Sequence, residues 1–365
     1  MSSLYYAGIE GGATNTVFVI LDGAGVVVSR ASGEGTNAYL VGVPAVAATV
    51  ERLAREALAS AGVAVPAAPA AAPVFVSLGM CASGFAEQGP QDALVAALRA
   101  SAPWLAGSYY VDNDSFGSIF TAAGDAGGSV IIAGTGSIAQ LVPAAPGGAP
   151  VTVGGHGHML GDEGSAWSVA STALRAIFAD ADALVLHDLP PPSGAGAGFD
   201  GDIRVRAPDA TAARAAMLSY FDIRSSAGML DIMYGDAFNK ARVAGFAKSV
   251  AALAAGGDAF SLLVFGHVGR ELGAMARALS FRARVQALTI VAVGSVWKSW
   301  PLLASGFERA AFAKWADGGA LTSFRLLRLR ESSAVGAAWR GAQLAGTRIP
   351  LDDAANTEVL AIGSN

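Results

Sequence analysis

Two short segments of this chain bring glycine amides and hydroxyls together in the way phosphate binding requires. In Ser129–Ser137, S-V-I-I-A-G-T-G-S, the run Val130, Ile131 and Ile132 favours a buried strand, and Gly134 and Gly136 allow close backbone approach. The turn exposes several N–H groups, and Thr135 and Ser137 add hydroxyl donors. An ordinary hairpin or strand-to-helix loop has the same composition. In Glu10-Gly11-Gly12-Ala13-Thr14-Asn15-Thr16 an acid able to approach a metal ion precedes the glycines, and a threonine follows them. This second segment lacks the G-x-x-x-x-G-K-[ST] of a P-loop and is not a G-x-G-x-x-G dinucleotide turn.

The acids and histidines leave more than one reading. Asp114 falls where a strand hands over to a helix, the crevice end at which open α/β sheets bind ligands; a helix cap would also place an aspartate there. Strand alternation puts Asp112 on the same side, so a carboxylate pair is open. Gly154–Ala166, G-G-H-G-H-M-L-G-D-E-G-S-A, ends in Asp162 and Glu163 before a helix, where acids suit the dipole; the density of glycines is costly in backbone entropy and a ligand would explain it. His156, His158, His187 and His267 show no metal-ligand spacing, and the single Cys81 excludes an internal disulfide and reads as a small buried hydrophobe.

The elements that must position these groups alternate between strand and helix. Strands are expected at Tyr6–Ile9, Val17–Leu21, Val26–Arg30, Val74–Leu78, Tyr109–Val111, Val130–Ile132, Ala139–Val142, Val151–Val153, Leu288–Val293 and, as the last one, Ser323–Leu329. Helices are expected at Pro44–Ala61, Gln91–Ala102, Ser115–Ala123, Ser165–Phe178, Asp258–Leu279 and Ser332–Ala345. Ala210–Ala254 is helical in pattern, including Tyr234–Ala254, with Gly245 inside it. Val63–Pro73, the turn Ala144–Pro150 and Pro190–Pro208 read as irregular connections.

At 365 residues, two domains are expected. The apolar fraction of 53% is largely alanine, and the two long windows without Asp, Glu, Lys or Arg are broken by proline and glycine, so no membrane-spanning helix is expected. The first ten residues do not resemble a signal peptide, which points to a cytoplasmic location. A net charge of −5, with no basic block beyond Arg325–Arg330, argues against nucleic-acid binding.

Taken in order, E-G-G-A-T, V-D-N-D-S-F-G-S, I-I-A-G-T-G-S, V-A-V-G-S-V and S-S-A-V-G-A-A resemble the five-segment pattern of the actin-like superfamily of sugar kinases, heat-shock ATPases and actin. Within it the chain is similar to the N-acetylglucosamine kinases of the BadF/BadG/BcrA/BcrD ATPase group, through these segments and through G-T-N at Gly35–Asn37, G-H-M-L-G-D-E-G-S-A, V-A-G-F and V-G-S-V-W-K-S-W. The resemblance runs from residue 5 to about residue 345.

That resemblance implies an α/β fold of two ribonuclease H-like domains, residues 1–121 and 122–365, with an interdomain cleft and the helix at 332–345 packing back on the first domain. It implies a set of ligands too: ATP, Mg²⁺ and a small amino sugar phosphorylated at its 6-hydroxyl, in a homodimeric enzyme. By resemblance Asp114 is the catalytic base; Gly11, Gly12, Ala13, Thr14, Asn15, Gly134, Thr135, Gly245, Gly294 and Ser295 hold ATP, and Glu10 lies near Mg²⁺ through water. Asn37, Ala38, Tyr39, Asp114, Gly136, Ser137, Ile138, Gly155, His156 and Asp162 match positions that line the sugar.

Departures from the pattern fall on both sides of the cleft. Ala13 replaces the third glycine of E-G-G-G-T, Ile138 replaces an asparagine, His156 a tryptophan, and Tyr39 the tryptophan of Asn-x-Trp. The Ile138 and His156 changes fall near the acetamido group in family members, so glucosamine, N-acetylmuramate and muramyl peptides are alternative substrates. A nucleotide-switched sugar sensor is a further alternative. An iron–sulfur ATPase activator of the group would carry more cysteines than Cys81.

Overall fold

The computed structural model describes residues 4–65, 72–143, 149–184, 209–315, 317 and 319–365. His187, Pro190–Pro208 and parts of the connections at 63–73 and 144–150 lie outside the described residues. The first sheet begins as an antiparallel meander of β1 (Tyr5–Gly11), β2 (Thr16–Asp22) and β3 (Val27–Gly33). The one-turn helix α1 (Ala38–Val41) and α2 (Val43–Ser60) lead to β4 (Phe75–Ala82), and α3 (Gln88–Ser101) leads to β5 (Ala106–Asp112). Strand order is β3-β2-β1-β4-β5, and β1, β4 and β5 are parallel. Parallel pairing places Gly11, Ala82 and Asp112, the last residues of these three strands, at one edge.

After α4 (Asp114–Ala123) the same plan is repeated. The strands β6 (Gly128–Ala133), β7 (Ser137–Val142) and β8 (Val151–Gly154) form a second meander. A helical layer follows: α5 (Ala166–Ala181), α6 (Thr211–Phe221), α7 (Gly228–Tyr234), α8 (Lys240–Gly245), α9 (Ala247–Ala255) and α10 (Ala259–Ala283). Then come β9 (Ala287–Val293), α11 (Trp300–Ala311), β10 (Ser323–Leu329), α12 (Ala334–Leu344), the short α13 (Asp353–Asn356) and β11 (Thr357–Ser364). The second sheet runs β11-β10-β9-β6-β7-β8, with β6, β9 and β10 parallel. A meander followed by two parallel strands therefore occurs twice, which is the duplicated α/β plan.

Each sheet receives a helix that follows the other. α4 leaves β5 of the first sheet, yet its Ile119 and Ala122 pack with Val130, Val291 and Leu327 of the second. α12 leaves β10 of the second sheet, yet its Ala334, Val335, Ala338 and Trp339 pack with Tyr6, Val19 and Leu21 of the first. The fit of α12 is so close that a side chain on Gly79 would sit 1.8 Å from the Ala337 carbonyl oxygen, and one on Gly8 1.9 Å from that of Ala334. The two helices meet where Gly336 lies against Gly117 and Thr121, with the Gly336 N–H donating to Thr121 Oγ1 at 2.8 Å.

Two expectations are corrected. Tyr234–Ala254 is not one helix: α7 ends at Tyr234, Gly235 is extended, and Asn239 starts α8 afresh by accepting the Arg242 N–H at 2.9 Å. Nor is Ser323–Leu329 the last strand, because β11 pairs antiparallel with it. β11 is an edge strand with a half-exposed alternation, and cross-strand contacts of Arg328 and Arg330 with Glu358 fix its register. No single helix among the described residues is long and apolar enough to cross a membrane.

Candidate functional site

The strand ends carry the site. Beyond β1, Gly12 N–H donates to the Asn15 carbonyl at 2.9 Å and closes a turn whose tip, Ala13, Thr14 and Asn15, is exposed. Behind it, Thr16 and Thr36 share a buried hydroxyl bond of 2.9 Å, and the Thr36 N–H donates to the Gly12 carbonyl at 3.0 Å. The loop Ser32–Asn37 thus backs the first phosphate-type turn. Glu10 reaches across to the start of α12: its Oε2 accepts from Ser332 Oγ at 2.5 Å and from the Ser333 N–H at 3.1 Å. This bond joins the end of β1 to the segment following β10, which brings the two strand-end edges together.

The second turn is the tip of the β6–β7 hairpin, where Ala133 pairs with Ser137. Gly134 N–H donates to the Gly136 carbonyl at 2.9 Å, Thr135 is exposed, and the Gly134 carbonyl accepts the Ala166 N–H at 2.8 Å, which docks the turn on α5. Gly294 follows β9 with φ +105°, and a side chain there would lie 2.4 Å from the Ala133 carbonyl oxygen, so this position needs glycine. A pocket of about 480 Å³ brings together Thr135, Gly245 and Ser295 with Lys248 and Lys298. Sequence reasoning named the first three and missed the two lysines, which are exposed and lie in ordinary helical or turn patterns.

Asp114 is the first residue of α4. Its neighbour Asn113 is the cap, accepting the Ser115 N–H at 3.0 Å, so the capping reading belongs to Asn113 and leaves the Asp114 carboxylate available. Asp114 Oδ2 accepts from Ser83 Oγ at 2.6 Å. Burial pushes its carboxyl above the usual aspartate range and the nearby charge of Glu10 adds to this, while the Ser83 bond works in the opposite direction. Asp112 does not complete a pair on this side: it accepts from Tyr110 Oη at 3.1 Å and from the Asn113 N–H at 2.8 Å, and burial raises it as well. Cys81 is fully buried in β4, and burial pushes its thiol up.

The expected sugar-side residues form two groups. Beside the first sheet, Asn37 Oδ1 caps α1 by accepting the Tyr39 N–H at 3.0 Å, and the Ala38 N–H donates to the Ser83 carbonyl at 3.3 Å. Asn37, Ala38, Ser83 and Asp114 are therefore linked, with Tyr39 69% exposed beside them. On the second, Gly136, Ser137, Ile138, Gly155 and Asp162 cluster, with Ile138 against Gly155; His156 is exposed. Asp162 is held inside the protein: Oδ1 accepts the Ser137 N–H at 3.1 Å and Oδ2 accepts Lys240 Nζ at 2.6 Å.

No cluster of three or more His, Cys, Asp or Glu among the described residues is placed to hold a metal. Glu10 and Asp114 supply oxygen donors only, which fits a Mg²⁺ ion that arrives with phosphate and keeps most of its waters.

A model of the BadF/BadG/BcrA/BcrD ATPase family matches residues 7–305. A solved structure from Chromobacterium violaceum, named "Putative N-acetylglucosamine Kinase", is similar with TM-score 0.60 and 20% identity, over 93% of this chain and 99% of that one. One of the same name from Porphyromonas gingivalis gives TM-score 0.60 and 16% identity over 91% and 96%. A ROK family glucokinase from Streptomyces griseus, in complex with glucose and AMPPNP, gives TM-score 0.51 and 14% identity over 94% and 100%. At these identities the likeness is one of fold alone. With its duplicated sheets and a family match over most of its length, the chain belongs to the BadF/BadG/BcrA/BcrD ATPase family.

Proposed function

We propose that this protein is an ATP-dependent amino-sugar kinase that converts N-acetyl-D-glucosamine to its 6-phosphate. The observation that carries this reading is Asp114: a carboxylate at the ligand-binding edge of a parallel sheet, oriented by Ser83 beside the Asn37 loop and freed from capping by Asn113. In the reaction Asp114 accepts the proton of the sugar 6-hydroxyl as that oxygen attacks the γ-phosphorus and the bond to the β-phosphate oxygen breaks, releasing ADP. The hydroxyls of Thr14 and Thr135 bind the phosphates at turns that Gly11, Gly12, Gly134 and Gly136 shape, the Gly12 and Gly134 N–H groups closing those turns internally, while Gly245, Gly294 and Ser295 border the nucleotide. Lys248 and Lys298 add positive charge to that pocket. Mg²⁺, when bound, neutralises phosphate charge, and Glu10 would hold it through water. Raised by burial, the Asp114 carboxylate is a stronger base than an exposed aspartate.

Ile138 and His156 favour a second substrate reading on the same scaffold. The Ile138 side chain packs on Gly155 and offers no polar group, and His156 presents an exposed imidazole. Glucosamine, N-acetylmuramate or a muramyl peptide is the alternative substrate. ADP release measured against a panel of these sugars and N-acetylglucosamine tests both readings. Sugar-dependent ADP with N-acetylglucosamine as the best substrate supports the first, a different best sugar selects the second, and no sugar-dependent ADP from any member rejects the kinase.

A further inference from the structure

Asp162 and Lys240 are 78 residues apart in sequence and form a contact whose position is unusual. The Asp162 side chain is only 4% exposed, that of Lys240 29%, and their 2.6 Å bond sits directly beneath the second phosphate-type turn. Gly136 lies so close to this carboxylate that a side chain there would be 2.7 Å from Oδ1, the oxygen that accepts the Ser137 N–H. Asp162 itself has φ +66°, a left-handed backbone that a non-glycine residue adopts at a cost, and its carbonyl accepts from Ser165 Oγ at 2.6 Å. A buried anion is thus built into the support of a turn whose ligand is also an anion. Left unpaired it would repel the phosphates through a poorly screening interior. Lys240 opens α8, and Ala241, Ala244 and Gly245 of that helix line the nucleotide pocket.

We infer that Lys240 is a positioning residue for the nucleotide: by pairing with Asp162 it cancels the carboxylate charge beneath the phosphate turn and ties that turn to the α8 wall of the nucleotide pocket. The inference rests on the reading that ATP phosphates occupy the Gly134–Ser137 turn, and does not depend on which sugar accepts the phosphoryl group. Asp162 has two separable tasks, accepting the Ser137 N–H, which an amide oxygen performs equally well, and carrying a charge that the Lys240 ammonium offsets. The charge effect is therefore expected to depend on both residues together.

The test is a double-variant cycle read by calorimetric ATP binding to the full-length protein without sugar, so that loss of kinase activity and loss of this inference are distinguishable. Lys240→Met is expected to raise the Kd for ATP about tenfold, the size of a typical coupling between sites. Lys240→Arg is expected to stay within about threefold of the parent, because it restores the charge. Asp162→Asn combined with Lys240→Met is expected to bind ATP about as well as Asp162→Asn alone, because the neutral pair needs no cation. In sugar-dependent turnover, where it exists, the Lys240→Met effect is expected in KM for ATP more than in kcat. Parent-like ATP binding by Lys240→Met overturns the inference. So does a double variant that binds ATP more weakly than Asp162→Asn alone, which would mark Lys240 as acting apart from the carboxylate charge; if Lys240→Met alone does not fold, the Lys240→Arg result and the double variant compared with Asp162→Asn decide.

Discussion

Replacing Gly79 with alanine probes the contact on which the whole site is hung. A side chain at Gly79 would lie 1.8 Å from the Ala337 carbonyl oxygen and 3.2 Å from the Ala338 nitrogen, both backbone atoms that no rotamer change can move away. An ordinary contact begins at 3.4 Å, so α12 must withdraw from β4 by about 1.6 Å. Overpacking of this kind costs about 3 kcal/mol, and the melting temperature is expected to fall by roughly 5 °C. The displaced helix also carries Ser332 and Ser333 away from Glu10, and a 3.1 Å bond stretched by that amount no longer counts as one. Turnover in the coupled ADP assay is expected to fall about tenfold or more, since misplacements near 1 Å are enough to do this. Gly89→Ala in α3 is the control: nothing lies within 4 Å of the added atom, and alanine favours a helix, so stability is expected to hold or rise slightly. A Gly79→Ala protein that melts and turns over like the parent would refute the packing of α12 on the first sheet.

Acid pH acts through Asp114. In the proposed reaction its ionised form is the base, and burial raises its carboxyl, so turnover is expected to decline with falling pH sooner than it would for an ordinary aspartate. The stability sign is opposite: a raised acid destabilises the fold at pH values above its folded pKa, and that penalty disappears as pH falls through it, so melting curves of the parent and Asp114→Asn converge on the acid side. Ser83→Ala removes the hydroxyl that favours the charged carboxylate, and the acid limb of its pH–rate profile is expected to move to higher pH; an unmoved limb would count against the Ser83 role. His156→Trp with Ile138→Asn is expected to raise the preference for N-acetylglucosamine over glucosamine and N-acetylmuramate, and an unchanged or reversed kcat/KM ratio argues against the substrate reading.

Much of this architecture is visible in the residues because its signals are local. β1, β6 and β9 are largely buried apolar runs ending in glycine turns, which marks them as strands, while the duplicated sheet comes from the family resemblance of the segments in their order. The position of Asp114 between a strand and a helix marks it as a candidate without deciding between cap and ligand, and its separation from Asp112 follows from hydrogen bonds that strand alternation does not specify. The break after Tyr234 had a signal in Gly235 and the capping Asn239, but the alanine-rich stretch around them masks it. β11 is too exposed for a clear period. The clasp of Glu10 by Ser332 and Ser333 and the pairing of Asp162 with Lys240 are tertiary, joining residues hundreds or tens of positions apart, and neither has a local signature. Ser83 follows β4 at the same edge as Glu10 and Asp114, and no motif in the sequence marks it.

The most direct test of the proposed chemistry compares the parent with Asp114→Asn on whichever sugar gives the highest ADP release, with ATP binding measured in parallel. Removal of a general base predicts that kcat falls by at least about 100-fold while the Kd for ATP stays near the parent value. Turnover of Asp114→Asn close to that of the parent would contradict the assignment of Asp114 as the base.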